Sequence, residues 1–171
     1  GDNTIINGDF ANALDSWITS GTVINDSGKA KLAGVAGVWT RLYQKSLSIV
    51  KGTVYTLTFD AYGATGGETI NIDLREHLAP NGLLGIDSDI TLTNVSSRYT
   101  INFTAPQTAA NGRLRVQFNT AQMVYVDNMF LTNAAQTLDA DFLATPLTGD
   151  APLTVGFADN STTTNTIVSR A

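Results

Sequence analysis

The chain has 171 residues, of which 43 % are hydrophobic and only 15 % charged, so it can bury a core and is not a disordered segment. Ten basic residues stand against fifteen acidic ones, a net charge of −5, which argues against a binder of nucleic-acid backbone, because that needs a clustered positive field. No run of about 18 apolar residues reads as a membrane span, the lack of cysteine excludes disulfides, thiol nucleophiles and Cys-ligated metals, and the single histidine, His77, excludes a multi-His metal site.

The dominant periodicity along the chain is two. A segment at about 37–50 sets Trp39, Arg41 and Tyr43 on one side. Over 55–62, Tyr55, Leu57, Phe59 and Ala61 alternate with Thr56, Thr58, Asp60 and Tyr62. Over 69–77, Ile70, Ile72 and Leu74 alternate with Asn71, Asp73, Arg75 and His77. Further strands are predicted at 99–104, 113–119 and 123–132, separated by turn formers such as Asn25-Asp26-Ser27-Gly28, Gly66-Gly67 and Asn111-Gly112. No window sustains helical spacing for three turns. The reading is an all-β protein, a β-sandwich of two antiparallel sheets over about 4–132. Leu57, Phe59, Ile72, Leu74, Ile101, Phe103, Val116 and Phe118 are expected between the sheets, with Phe10, Trp17 and Tyr55 also in the core.

A boundary is expected near 133–138, dividing 1–135 from 136–171. Strands in the second part are predicted around 140–144, 153–158 and 166–170. The 33 or so residues of 139–171 are too few to bury an independent core. Their strands are therefore expected to be completed by the first domain, by a neighbouring copy adding strands edge to edge, or by another protein.

For catalysis the signals are weak. No Gly-x-Ser-x-Gly elbow, phosphate loop or His-Glu-x-x-His motif is present, and nothing marks a carboxylate pair among Glu68, Glu76 and Asp73. The chain is read as not an enzyme. Sugar binding is better supported. A sugar ring offers an apolar C–H face and a rim of hydroxyls, so its receptor needs an exposed flat aromatic and forked hydrogen-bonding side chains. The polar sides of the strands supply Tyr62, Asn71, Asp73, Arg75 and His77, joined by Arg115, Gln117 and Asn119. Trp39, Arg41 and Tyr43 add an aromatic wall if they share that face; core packing or a covered edge is the plain alternative, and their exposure discriminates the two.

Four motifs occur in order: Ile5-Ile6-Asn7-Gly8-Asp9-Phe10 with Leu14-Asp15-Ser16-Trp17; Leu42-Tyr43-Gln44; Gly52-Thr53-Val54-Tyr55-Thr56-Leu57-Thr58-Phe59-Asp60-Ala61; and Val124-Tyr125-Val126-Asp127-Asn128-Met129-Phe130-Leu131. Together they resemble carbohydrate-binding modules of the family 4, 9, 16 and 22 type over about 4–132. The resemblance implies a galactose-binding-like jelly roll and a non-catalytic module of a secreted or cell-surface protein, targeting an appended glycoside hydrolase or polysaccharide lyase to polysaccharide. It also implies a structural calcium ion (Ca2+) pinning the N-terminal turn to the last strand, with Asp9 and Asp127 in matching positions and Ser27 nearby. Two departures stand out: Ala11 replaces the acidic residue after Phe10, removing one calcium ligand, and Ser97 replaces a tryptophan before the strand at 99.

Ala140-Asp141-Phe142, Pro146, Gly149, Ala151-Pro152-Leu153-Thr154-Val155, Phe157 and Asp159-Asn160-Ser161-Thr162 resemble the first half of a PKD (polycystic-kidney-disease) domain. This implies an immunoglobulin-like segment and a modular extracellular parent. The alternative function is a structural or adhesive sandwich that assembles by strand addition and binds no glycan.

Overall fold

The computed structural model describes residues 3–134 and, beyond them, 138–139, 142–145, 148–149, 154–159 and 162–163. The chain divides into two compact units, Gly1–Ala134 and Ala135–Ala171.

The first unit is built from ten strands: β1 (Ile18–Ser20), β2 (Thr22–Asn25), β3 (Ala30–Ala33), β4 (Thr40–Ile49), β5 (Val54–Gly63), β6 (Thr69–Glu76), β7 (Leu83–Thr91), β8 (Ser97–Thr104), β9 (Ala109–Phe118) and β10 (Met123–Asn133). They form two five-stranded antiparallel sheets, ordered β1-β4-β9-β6-β7 and β2-β3-β10-β5-β8. From β7 to β10 successive strands pass from one sheet to the other, and the result is the two-sheet sandwich that the alternation predicts, in the jelly-roll form that the resemblance implies. The four strands unread in the sequence are β1, β2 and β3, too short to show a period, and β7, whose alternation is broken at Gly85 and Ser88.

Each strand turns its apolar set inward. Leu57 and Phe59 of β5, Ile72 and Leu74 of β6 and Val116 of β9 have no exposed surface, and Phe118 is buried beside them. Ile101 and Phe103 of β8 are half-buried against the same core, as expected for a sheet edge. Each large side chain fully withdrawn from water contributes about 1.5–3 kcal/mol. Tyr55 stacks on Phe103 and Phe59 on Tyr99, at 5.5 and 5.3 Å between centroids, directly across the β5–β8 pairing.

The recognisable N-terminal motif closes one end of this core. Asn7, at φ 51°, donates from its amide to the carbonyls of Ala13 and Asp15 and accepts from the Asn12 N–H. The Asn7 carbonyl takes the indole N–H of Trp17 at 2.9 Å, and Trp17 stacks on buried Phe10. Gly8 accepts the Met129 N–H, and a Cβ there would lie 1.9 Å from the Met129 carbonyl oxygen, so no larger residue fits. Met129 turns fully inward at a bulge in β10, where Asn128 has φ 49°.

In the second unit, β11 (Leu138–Asp139) pairs with β14 (Thr162–Thr163) and β12 (Phe142–Thr145) with β13 (Gly156–Asp159), both antiparallel. The strand expected at 166–170 lies outside the described residues.

Candidate functional site

The outer face of the β1-β4-β9-β6-β7 sheet gathers ten of the eleven sugar-binding candidates on or beside it. Register sets them in rows across the strands. One row runs Ser20, Arg41, Gln117, Asn71, Asp89; the next runs Ile18, Tyr43, Arg115, Asp73, Asp87. Arg75 and Arg113 face each other in a third.

A continuous hydrogen-bond network crosses four of these strands. Arg41 Nε donates to Gln117 Oε1 at 3.2 Å, and Gln117 Nε2 donates to Asn71 Oδ1 and Asp73 Oδ2. Asn71 Nδ2 donates in turn to Asp87 and Asp89, at 3.1 and 2.9 Å. Arg115 closes on Asp73 Oδ2 with both Nε and a terminal nitrogen. Asp73 is only 2 % exposed, and its other oxygen is buried without a protein partner. Arg75 reaches Asp87 at 2.6 Å. Hydrogen bonds from Asn71 and then Arg75 hold the Asp87 carboxyl below the usual carboxylate range. Such a net holds forked donors and acceptors in fixed positions before any ligand arrives, which lowers the ordering cost of binding.

Aromatics flank the network at both ends. Trp39 is 42 % exposed, with the Arg41 guanidinium 4.9 Å over its ring. It lines a groove of about 370 Å³ together with Asn71, Asp89, Gln117 and Asn119. At the other end Tyr43 stacks on His77 at 6.2 Å. Burial first, then the charges of Lys45 and Arg113, push His77 below its ordinary pKa. The Trp39 side chain is therefore open beside the polar ladder rather than packed inside.

Tyr62 departs from the expectation. It sits on β5, in the other sheet, where it stacks on Tyr125 at 4.6 Å. Alternation correctly turns it outward from its own strand, but that side is the far face of the sandwich, so it cannot share one site with Asn71 and Asp73. Arg113, Asp87 and Asp89 belong to the face and were not singled out in the sequence. The alternation Arg113, Arg115, Gln117 was available to find the first; the other two lie on the unread strand β7.

The two glutamates are committed elsewhere. Glu68 accepts the Thr65 N–H and hydroxyl, both at 2.8 Å; burial pushes its carboxyl up, yet these bonds leave it below the usual range. Glu76 accepts the Gly82 N–H at 3.1 Å. Each oxygen named here braces a loop.

Of the residues expected at calcium, Asp9 is exposed and accepts the Ala11 N–H at 3.3 Å, while Asp127 accepts the Asn128 N–H at 2.7 Å. Burial, and among its lesser causes the charges of Asp60 and Asp9, raise the Asp127 carboxyl. The Ser27 hydroxyl donates to Asp26. Among the described residues no group of three acidic or histidine side chains gathers. A hard cation takes about six to eight oxygens, so at Asp9 and Asp127 most of them would have to come from backbone, hydroxyl or amide groups, Ala11 having removed one acid.

Residues 2–122 match the family model described as carbohydrate binding domain. None of the curated proteins matches the chain. Among solved structures, the chain is similar to a CBM4 structure with a TM-score of 0.65 and 23 % identity, over 73 % of this chain and 99 % of that one. It is similar to the N-terminal cellulose-binding domain of Cellulomonas fimi β-1,4-glucanase C with a TM-score of 0.63 and 21 % identity, over 79 % and 99 %. A family 16 carbohydrate binding module superposes with a TM-score of 0.59 at 19 % identity, over 76 % and 99 %. At these identities the structural likeness speaks for the fold.

Proposed function

The chain belongs to the carbohydrate binding domain family, whose members are non-catalytic binding modules, and we propose that it takes its glycan across the outer face of the β1-β4-β9-β6-β7 sheet. The exposure of Trp39 beside the ladder carries this reading. A flat ring open to solvent suits the C–H face of a sugar, and the Arg41–Gln117–Asn71–Asp87 net suits its hydroxyl rim. Because sugar hydroxyls largely exchange equivalent bonds with water, affinity falls between micromolar and millimolar, about −4 to −8 kcal/mol. A glycan array on the full chain, followed by titration of Trp39→Ala against the best glycan, tests it. An unchanged affinity in that variant moves the site off this face.

The wider role we infer is that of a module in a secreted or cell-surface protein, targeting an appended enzyme to polysaccharide. Residues 136–171 serve there as the first part of a PKD-like domain; the antiparallel pairing of Phe142–Thr145 with Gly156–Asp159 supports an immunoglobulin-like segment. Among the described residues each of its two pairings joins only two strands, and we infer that other protein completes their edges. Hydrogen exchange at low concentration tests that, since fast exchange of the Phe157 amide in a monomer is expected and strong protection overturns it. Calcium remains part of the proposal only with Asp9 and Asp127 as its carboxylates and backbone oxygens making up the rest.

A further inference from the structure

One end of the proposed glycan face carries a charge that a neutral sugar does not explain. Arg113 of β9 and Arg75 of β6 stand directly opposite each other on the same side of the sheet, and like charges so placed repel unless something neutralises them. Arg75 has its counter-ion in Asp87. Arg113 forms no ion pair with any described residue, and its Nε is buried without a partner. The acid whose charge bears on it, Asp73 in the neighbouring row, is already closed on by Arg115. A guanidinium withdrawn from water without an anion is unfavourable. Burial first, and then the charge of Arg115, lowers the pKa of the Arg113 guanidinium from its ordinary value.

The surroundings of Arg113 look like half of a binding site. Tyr43, whose ring stacks on His77, lies one row away on the neighbouring strand. Nδ1 of His77 is buried and also lacks a partner. Lys45 follows on β4, exposed, and its charge reaches His77 together with that of Arg113. Two cations that form no ion pair with any described residue therefore meet an aromatic pair at this end, while Asp87 and Asp89 lie on β7, at the opposite edge of the sheet.

We propose that the Arg113 end is a subsite for the carboxylate of a uronic acid, and that the glycan taken by this face is an acidic polysaccharide. The proposal rests on the reading of the face as the glycan site. A carboxylate presents two oxygens that match the planar fork of a guanidinium, and the ring that bears it can lie over Tyr43. Binding gives Arg113 the counter-ion that no described residue supplies, so the energy of this contact is available to a charged sugar and not to its neutral counterpart.

The test titrates the full chain with oligogalacturonate, alginate oligosaccharide and the methyl ester of each, with cellohexaose as the neutral sugar. At least one uronate should bind tenfold or more tightly than its own methyl ester, with the preference shrinking as salt is raised. Arg113→Gln should abolish the preference and Arg113→Lys should keep part of it. Arg113→Gln should melt no lower than the parent chain, because it removes an unneutralised cation, and this separates lost binding from lost fold. Acid and ester bound equally, or a preference that survives Arg113→Gln, overturns the subsite. If cellohexaose or an ester binds while no uronate is preferred, the subsite falls and the glycan face stands. If no sugar binds, the reading of the face falls with it.

Discussion

The side chain of Gln44 bonds the backbone of Ile6 twice, accepting its N–H and donating to its carbonyl, both at 2.9 Å. Gln44 itself is buried in β4, so a side-chain amide there does the work of a missing strand partner for the N-terminal segment. Gln44→Ala leaves that backbone pair unsatisfied and should lower stability by about 1–3 kcal/mol. Denaturant unfolding measures it; Gln44→Glu, which keeps the acceptor and loses the donor, should fall between.

Trp39 and Tyr62 make a paired prediction about the face. Trp39→Ala should weaken glycan binding by tenfold or more, about 1.4 kcal/mol, and change unfolding far less than loss of a core side chain, because the residue lies outside the core and is 42 % exposed. Tyr62→Ala lies across the sandwich and should leave the affinity where it was. Calorimetric titration of both variants reads this directly, and the reverse pattern would place the site on the other sheet.

Asp73 holds Arg115 and Gln117 in place from beneath the ligand face. Asp73→Ala strands the Arg115 charge in a largely buried position and should cost about 3–5 kcal/mol of stability. Removing both partners, in Asp73→Ala with Arg115→Ala, should recover part of that loss. A double-mutant cycle by chemical denaturation shows whether the two effects couple.

The pH dependence has a definite sign. Asp60 is held below the usual range first by its hydrogen bonds from Arg98, at 2.7 and 2.8 Å; burial opposes this, and the bond from Asn128 adds to the lowering. Asp87 is lowered by Asn71 and Arg75. A carboxyl whose folded pKa is depressed adds stability above its unfolded pKa and loses it as pH falls through the folded value. Melting temperature should therefore decline between about pH 5 and pH 2, and less steeply in Asp60→Asn. Asp127 is raised instead, so its ionisation opposes folding and Asp127→Asn should gain stability at neutral pH.

Calcium is tested against that last expectation. If Asp9 and Asp127 hold an ion, chelation lowers the melting temperature by the linkage of binding to folding, and Asp127→Asn loses the response. A melting curve that chelator leaves unmoved removes calcium from the proposal.

Alternation of apolar and polar residues by itself determined the fold class, the inward set from Leu57 to Phe118, and the outward turn of Asn71, Asp73, Arg75, Arg115 and Gln117. It could do so because side chains in a strand point to opposite faces with a period of two, a local property that each strand carries in its own residues. The Asn7-Gly8 and Leu42-Tyr43-Gln44 motifs were legible as well, since the bonds from Asn7 and Gln44 fix them to specific residue types. What only the tertiary structure decided is which outward face belongs with which. Tyr62 and Asn71 are both outward and nine positions apart, yet β5 hydrogen-bonds to β10 and β8 while β6 bonds to β9 and β7, and the two side chains end on opposite sides of the molecule. The same holds for the charges. No local pattern says that Asp73 is taken by Arg115 while Arg113 is left facing Arg75, because strand pairing across distant parts of the chain chooses a residue's neighbours.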